Sequence, residues 1–99
     1  MLKHIVMMKL KAQELSVMLE RLKQLETRLN DLQNHISSIQ EWEIGVNFSD
    51  RPSAMDLVLV SGFANEESLQ KYLEHPKHVE VVAYIKEVVA ESKVVDYWV

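Results

Sequence analysis

The chain has 99 residues, 47% of them apolar and 26% charged, with two glycines, two prolines and no cysteine. That is the size and composition of one ordered globular domain, residues 1–99, and it excludes a disulfide framework, a thiolate metal site and a cysteine nucleophile. Fifteen acidic residues against eleven basic ones give a formal charge of −4 with the cations dispersed among the acids, so nucleic acid is not an expected partner.

Met1–Lys9 is too short and too interrupted by charge for the apolar heart of a signal peptide, and no run approaches the roughly 18 apolar residues of a membrane span. The expectation is a soluble, cytoplasmic protein with no membrane partner. From Leu2 to Leu10, Leu2, His4, Val6, Met8 and Leu10 alternate with Lys3, Ile5, Met7 and Lys9, which predicts a strand. The period then lengthens: Leu15, Met18, Leu22, Leu25, Leu29, Leu32 and Ile36 recur every three or four residues, an amphipathic helix. The same spacing fits a coiled-coil seam, but it lasts only about three heptads, and the strands around it need a helix to cover one face.

Glu41–Phe48 alternates again, with Trp42, Ile44, Val46 and Phe48 on one face. Turn residues at Ser49–Ser53 lead into Asp56–Phe63, a β-prone run predicted to be a central strand buried on both faces. Asn65 stands where an N-cap belongs, before a short helix with Leu69, Tyr72 and Leu73 as its apolar stripe. Pro76 forces His75 out of helical geometry yet suits the first position of a new helix, so His75 is predicted to cap a second helix from Pro76 to about Ala90. Lys93–Val99, β-branched and aromatic, is the last strand.

The order βαββαβ, with right-handed crossovers, predicts an α+β, ferredoxin-like fold: a four-stranded antiparallel sheet with helices on one face, the second helix broken at His75-Pro76. Ile5, Met7, Val95, Tyr97 and Val99 then fall on the uncovered face. An apolar sheet face of that size is not left wet on a soluble monomer, and a second copy of the sheet is its simplest cover, giving a homodimer joined through sheet faces.

Several short stretches resemble the stress-responsive dimeric α/β-barrel family: Lys3-His4-Ile5-Val6, Gly45-x-Asn47, Asp56-Leu57-Val58-Leu59-Val60, Tyr72-x-x-His75-Pro76-x-His78-Val79 and Val95-Asp96-Tyr97. The resemblance covers nearly the whole chain and implies a ferredoxin-like protomer whose sheet pairs with a partner's to close a barrel. One plant member is a polyketide cyclase that makes olivetolic acid. The tyrosine and histidine with catalytic roles in that enzyme match Tyr72 and His78, and its pocket histidine and aspartate match His4 and Asp96. Where that cyclase lines its cavity with bulky aromatics from the first helix, this chain has Met18, Leu19 and Leu22, a departure that argues against a polyketide substrate.

The fold alone also brings some of these residues together. The first and last strands are expected to be antiparallel neighbours, and parity puts His4 and Asp96 on the helix-covered side. An imidazole held by a carboxylate is oriented for proton transfer. His78, in the first turn of its helix, is disfavoured as a cation and suited to accept a proton. Tyr72 carries a phenol that can donate to an enolate or carbonyl oxygen. His78 and Tyr72 are therefore the candidate catalytic pair, and His4, Asp96 and His75 the candidate substrate-binding residues. The structural alternative for each is concrete: a buried His4–Asp96 pair satisfying itself, a capping His75, a core Tyr72. His75-x-x-His78 has a spacing seen in metal sites, but Pro76 breaks the helix between them and no third ligand is near, so no metal or other cofactor is expected.

Two classes of function follow. One is a small-molecule binding protein or lyase- or cyclase-like enzyme that abstracts a proton beside a carbonyl, with His78 as base and Tyr72 as oxyanion donor. The other is a non-catalytic dimeric module whose pocket is filled by side chains such as Met8, Trp98 and leucines. An open cavity beside Tyr72, His78 and Asp96 separates them.

Overall fold

The computed structural model describes Met1–Val99 throughout. β1 (Leu2–Leu10) is followed by α1 (Leu15–Asp31), a 3-10 turn at Leu32–Asn34, β2 (Glu41–Val46), β3 (Leu57–Phe63), α2 (Glu66–Glu74), α3 (Pro76–Val88) and β4 (Val89–Trp98). The strands form one antiparallel sheet in the order β2-β3-β1-β4. This is the ferredoxin-like arrangement that the element order predicts. No helix is long and apolar enough to cross a membrane.

The core lies between the sheet and the helices. Alternation along the strands turns Met8, Leu10, Leu57, Leu59 and Phe63 inward, where they meet Leu25 and Leu29 from the first helix, Leu32 from the 3-10 turn after it, and Tyr72, Val81 and Val88 from α2 and α3. The apolar stripe of α1 is thus used as a core face rather than a coiled-coil seam. The helix is shorter than its stripe, since the backbone tightens to a 3-10 turn at Leu32–Asn34, yet Ile36 beyond it is still buried.

Three element boundaries differ from expectation. β2 ends at Val46 because Asn47 closes a local turn, its side chain accepting from the Ser49 backbone N–H and donating to the Ser49 carbonyl. Phe48 is left 99% exposed instead of on the core face. α3 stops at Val88, and β4 begins at once, at Val89. There Val89 enters the ladder opposite Leu10, past an irregularity at Lys9/Leu10, so β4 starts earlier than the expected Lys93.

The face away from the helices carries Ile5, Met7, Val58, Val60, Val95 and Tyr97 at its centre, on three adjacent strands. Charged pairs rim it: Lys3 with Glu41 at 2.6 Å, and Lys93 with Glu91 at 3.2 Å. Lys3 reaches Glu41 across β3 because the intervening residue is Gly62. A Cβ there would stand 2.9 Å from Glu41 Oε1 and 2.6 Å from Met1 Sδ. β3 is central as expected, fully buried on its helix side and half-buried at Val58 and Val60 on the other.

Candidate functional site

On the helix side, β1 and β4 set His4 opposite Asp96, and His4 Nδ1 is hydrogen-bonded to the Asp96 carboxylate. A carboxylate only accepts, so Nδ1 carries the proton and Nε2 keeps a free lone pair in the neutral ring. The buried Ser61 hydroxyl, from β3, donates to the His4 carbonyl at 2.8 Å and ties this point of β1 to its neighbour.

Tyr72 comes from the end of α2, which Asn65 starts by accepting the Ser68 backbone N–H at 2.9 Å. Its ring is 2% exposed and is surrounded by others: His78 at 4.4 Å between centroids, Phe63 at 5.2 Å, Trp42 at 5.9 Å and His4 at 6.2 Å. Burial pushes the phenol far above the usual tyrosine range. Tyr72 is therefore a hydrogen-bond donor, not a base.

The helix break positions His78. His75 caps α3, its Nδ1 accepting the Lys77 backbone N–H at 3.1 Å. In a continuous helix that N–H would serve the Leu73 carbonyl, four residues earlier. The carbonyl left over is taken instead by His78 Nδ1, which donates to it at 3.0 Å. The hydrogen bond fixes the tautomer and leaves Nε2 to accept. Burial lowers the His78 pKa below the ordinary histidine value, the neighbouring His4 and His75 act in the same direction, and the Leu73 carbonyl opposes them.

A cavity of about 280 Å³ lies over β1 and under α3, with His4, Tyr72 and His78 in its wall beside Val6, Met8, Leu29, Leu59, Val81, Val82 and Ile85. Lys86 and Ser92 complete the lining. Met8 is a wall and not a plug, and Trp98 is 57% exposed. Asp96 stands behind His4 and outside the lining. His75 does not join the group: its ring is spent on capping α3 and faces a different depression with His35 and Glu74. The expectation that β4's inner face is covered by helices also needs correction, because Val94 and Trp98 are more than half exposed there. No three of the chain's histidine, aspartate and glutamate side chains converge as a metal site would require.

Lys86 and Ser92 were not singled out from the sequence. Lys86 stands eight residues after His78, the spacing of one helix face, and that was the signal available. Ser92 lies in the early part of β4, ahead of the β-branched and aromatic run Lys93–Val99.

The fold and site together define a ferredoxin-like protomer with a small cavity, walled by two histidines and a tyrosine, between its sheet and a broken helix. The sequence pattern of the Stress Responsive A/B Barrel Domain matches residues 2–99, and the chain belongs to that family. An uncharacterised protein of Streptomyces coelicolor is 39% identical over 56 residues, a stretch spanning 57% of this chain and 58% of that protein. A dimeric protein of unknown function and ferredoxin-like fold from Bacteroides fragilis superposes with a TM-score of 0.90 at 27% identity, over 99% of this chain and 95% of that one. The hydroxynitrile lyase of Passiflora edulis superposes with a TM-score of 0.84 at 20% identity, over 99% and 92% of the two chains. At that identity the likeness to the lyase is one of fold.

Proposed function

We propose that the chain is one protomer of a homodimer whose helix-side cavity binds a small carbonyl compound and moves a proton beside the carbonyl. The observation that carries this reading is the open cavity with Tyr72 and His78 in contact in its wall. In the proposed chemistry the carbonyl oxygen accepts from the Tyr72 hydroxyl, and His78 Nε2 takes the proton from the adjacent carbon. As the enolate forms, the Tyr72 hydroxyl donates to the oxygen on which the charge develops, and the protonated His78 is stabilised through its Nδ1–H to Leu73. His4, held by Asp96, supplies a second imidazole in the same wall. The volume lies just below the roughly 300–1,000 Å³ of pockets for drug-sized ligands, which favours a compact substrate. That a fold neighbour is a hydroxynitrile lyase is consistent with carbonyl chemistry on this scaffold.

The dimer rests on the uncovered sheet face. Its apolar centre and charged rim have the anatomy of a protein interface, and the Bacteroides fragilis neighbour is dimeric. A thermal-shift screen against aromatic acids, aldehydes and β-keto compounds tests the binding claim, since a ligand of the native state alone raises its melting temperature. Failure of every compound to shift the protein would favour the non-catalytic module instead.

A further inference from the structure

The far end of the cavity carries information about what it binds. α3 lines the space with His78, Val82, Ile85 and Lys86, one face of the helix. The eight residues from His78 to Lys86 correspond to a rise of about 12 Å. The floor runs alongside: the four steps of β1 from His4 to Met8 span about 13 Å, and β4 sets Asp96 opposite His4 and Ser92 opposite Met8. The cavity is therefore a slot with two polar ends. The imidazoles and Tyr72 hold one end, and Ser92 and Lys86 the other.

Lys86 is the one residue in the lining with a permanent charge. Lys3, Lys71, Lys77 and Lys93 each have a carboxylate within 4.0 Å, whereas Lys86, like Lys9, Lys11 and Lys23, has none; what sets the exposed Lys86 apart from those three is its place in the cavity lining. Its helix neighbours three and four residues back are Val82 and Ala83, neither of which can pair with it, and α3 ends two residues beyond it. Lys11 adds a second cation at this end, with its Nζ 3.4 Å from the Lys86 carbonyl. The nearest acids in the chain are Glu87, exposed on the next position of the helix, and Glu91, whose carboxylate is held by Lys93. In a chain of net charge −4 the overall field does not draw anions in, so a local unpaired ammonium at a slot mouth acts as a selective feature.

We propose that Lys86 is a specificity-determining residue and that the cavity takes a carboxylate-bearing carbonyl compound. The carboxylate sits at Lys86 with the Ser92 hydroxyl as a further donor, the apolar body lies along Val6, Met8 and Ile85, and the carbonyl meets Tyr72 and His78. This assignment rests on the site reading above and adds the substrate's charge and polarity to it.

The test uses 4-acetylbenzoate and its neutral counterpart 4-acetylbenzamide, titrated calorimetrically into the wild type, Lys86→Met, Lys86→Arg and, as a surface control, Lys23→Met. A charge-assisted contact predicts that the wild type and Lys23→Met bind the acid roughly tenfold or more tightly than the amide. Lys86→Met should bind the two alike with the amide's affinity unchanged, and Lys86→Arg should restore the preference. Wild-type protein that binds acid and amide equally, or Lys86→Met that keeps the preference, overturns the Lys86 assignment and leaves the cavity standing as a site. Binding of neither probe overturns both readings.

Discussion

Tyr72 and His78 lie ring against ring, 4.4 Å between centroids, although a proline and a helix break separate them in the chain. The contact exists because of that break. The His75 cap takes the Lys77 N–H, the Leu73 carbonyl is freed, and His78 turns back to it, which brings its ring onto Tyr72.

If this pair is the proton-transfer machinery, Tyr72→Phe and His78→Asn should each abolish turnover or ligand response. Within the chain no hydrogen bond engages the Tyr72 hydroxyl, so the phenylalanine variant should melt within a degree or two of the parent. A structural hydroxyl would instead cost about 1–3 kcal/mol, or roughly 4–8 °C per kcal/mol for a domain of this size. Calorimetry beside an activity or binding assay separates the two outcomes.

The lowered pKa of His78 fixes the sign of a pH effect. Between its folded pKa and the ordinary value of 6.5, the unfolded chain binds a proton that the native one does not. Its contribution to stability is therefore fully present above 6.5 and is lost as pH falls through the folded pKa. NMR titration should show the His78 ring less than half protonated at pH 6.5, and the midpoint of the acid limb of any activity profile should lie below that pH. A His78 resonance that titrates at or above the ordinary value would contradict the buried, proton-accepting role.

At the uncovered sheet face, Met7→Asp should dissociate or unfold the protein, because it sets a charge beside Val58 at the centre of the face, with only the rim residue Lys93 opposite to answer it. Lys23→Asp, on the outer surface of α1, should do neither. Light scattering at micromolar concentration reads the result, and a wild type that runs only at 11.5 kDa would defeat the dimer.

Much of this fold was legible because its elements follow simple periods. The alternation of Leu2–Leu10 and the three-four spacing from Leu15 mark β1 and α1, and parity across two antiparallel neighbours pairs His4 with Asp96. What escaped was decided by tertiary context. Phe48 continues the apolar alternation of β2, yet a side-chain turn at Asn47 ends the strand first. His75 sits in the same short motif as Tyr72 and His78, but one ring cannot both cap a helix and face the cavity. Lys86 is an exposed lysine, and only the opposing strand shows that the cavity runs beside it.

Helix caps give a contrast to the site. Asn65→Ala removes the acceptor for the Ser68 N–H and should lower stability by about 0.5–2 kcal/mol, with ligand affinity unchanged. His75→Ala should likewise lower the melting temperature and leave the cavity's ligand preference intact, because its ring lies outside the lining. Thermal denaturation with and without 4-acetylbenzoate measures both effects in one experiment.

The most direct test of the account is hydrogen exchange on a bound ketone. In D2O, the methyl protons of 4-acetylbenzoate should be replaced by deuterium faster with the wild-type protein than in buffer alone, as followed by the decay of the methyl signal in proton NMR. The acceleration should vanish in His78→Asn and in Tyr72→Phe. A methyl signal that decays at the buffer rate while calorimetry shows the ketone bound would contradict proton abstraction at this site.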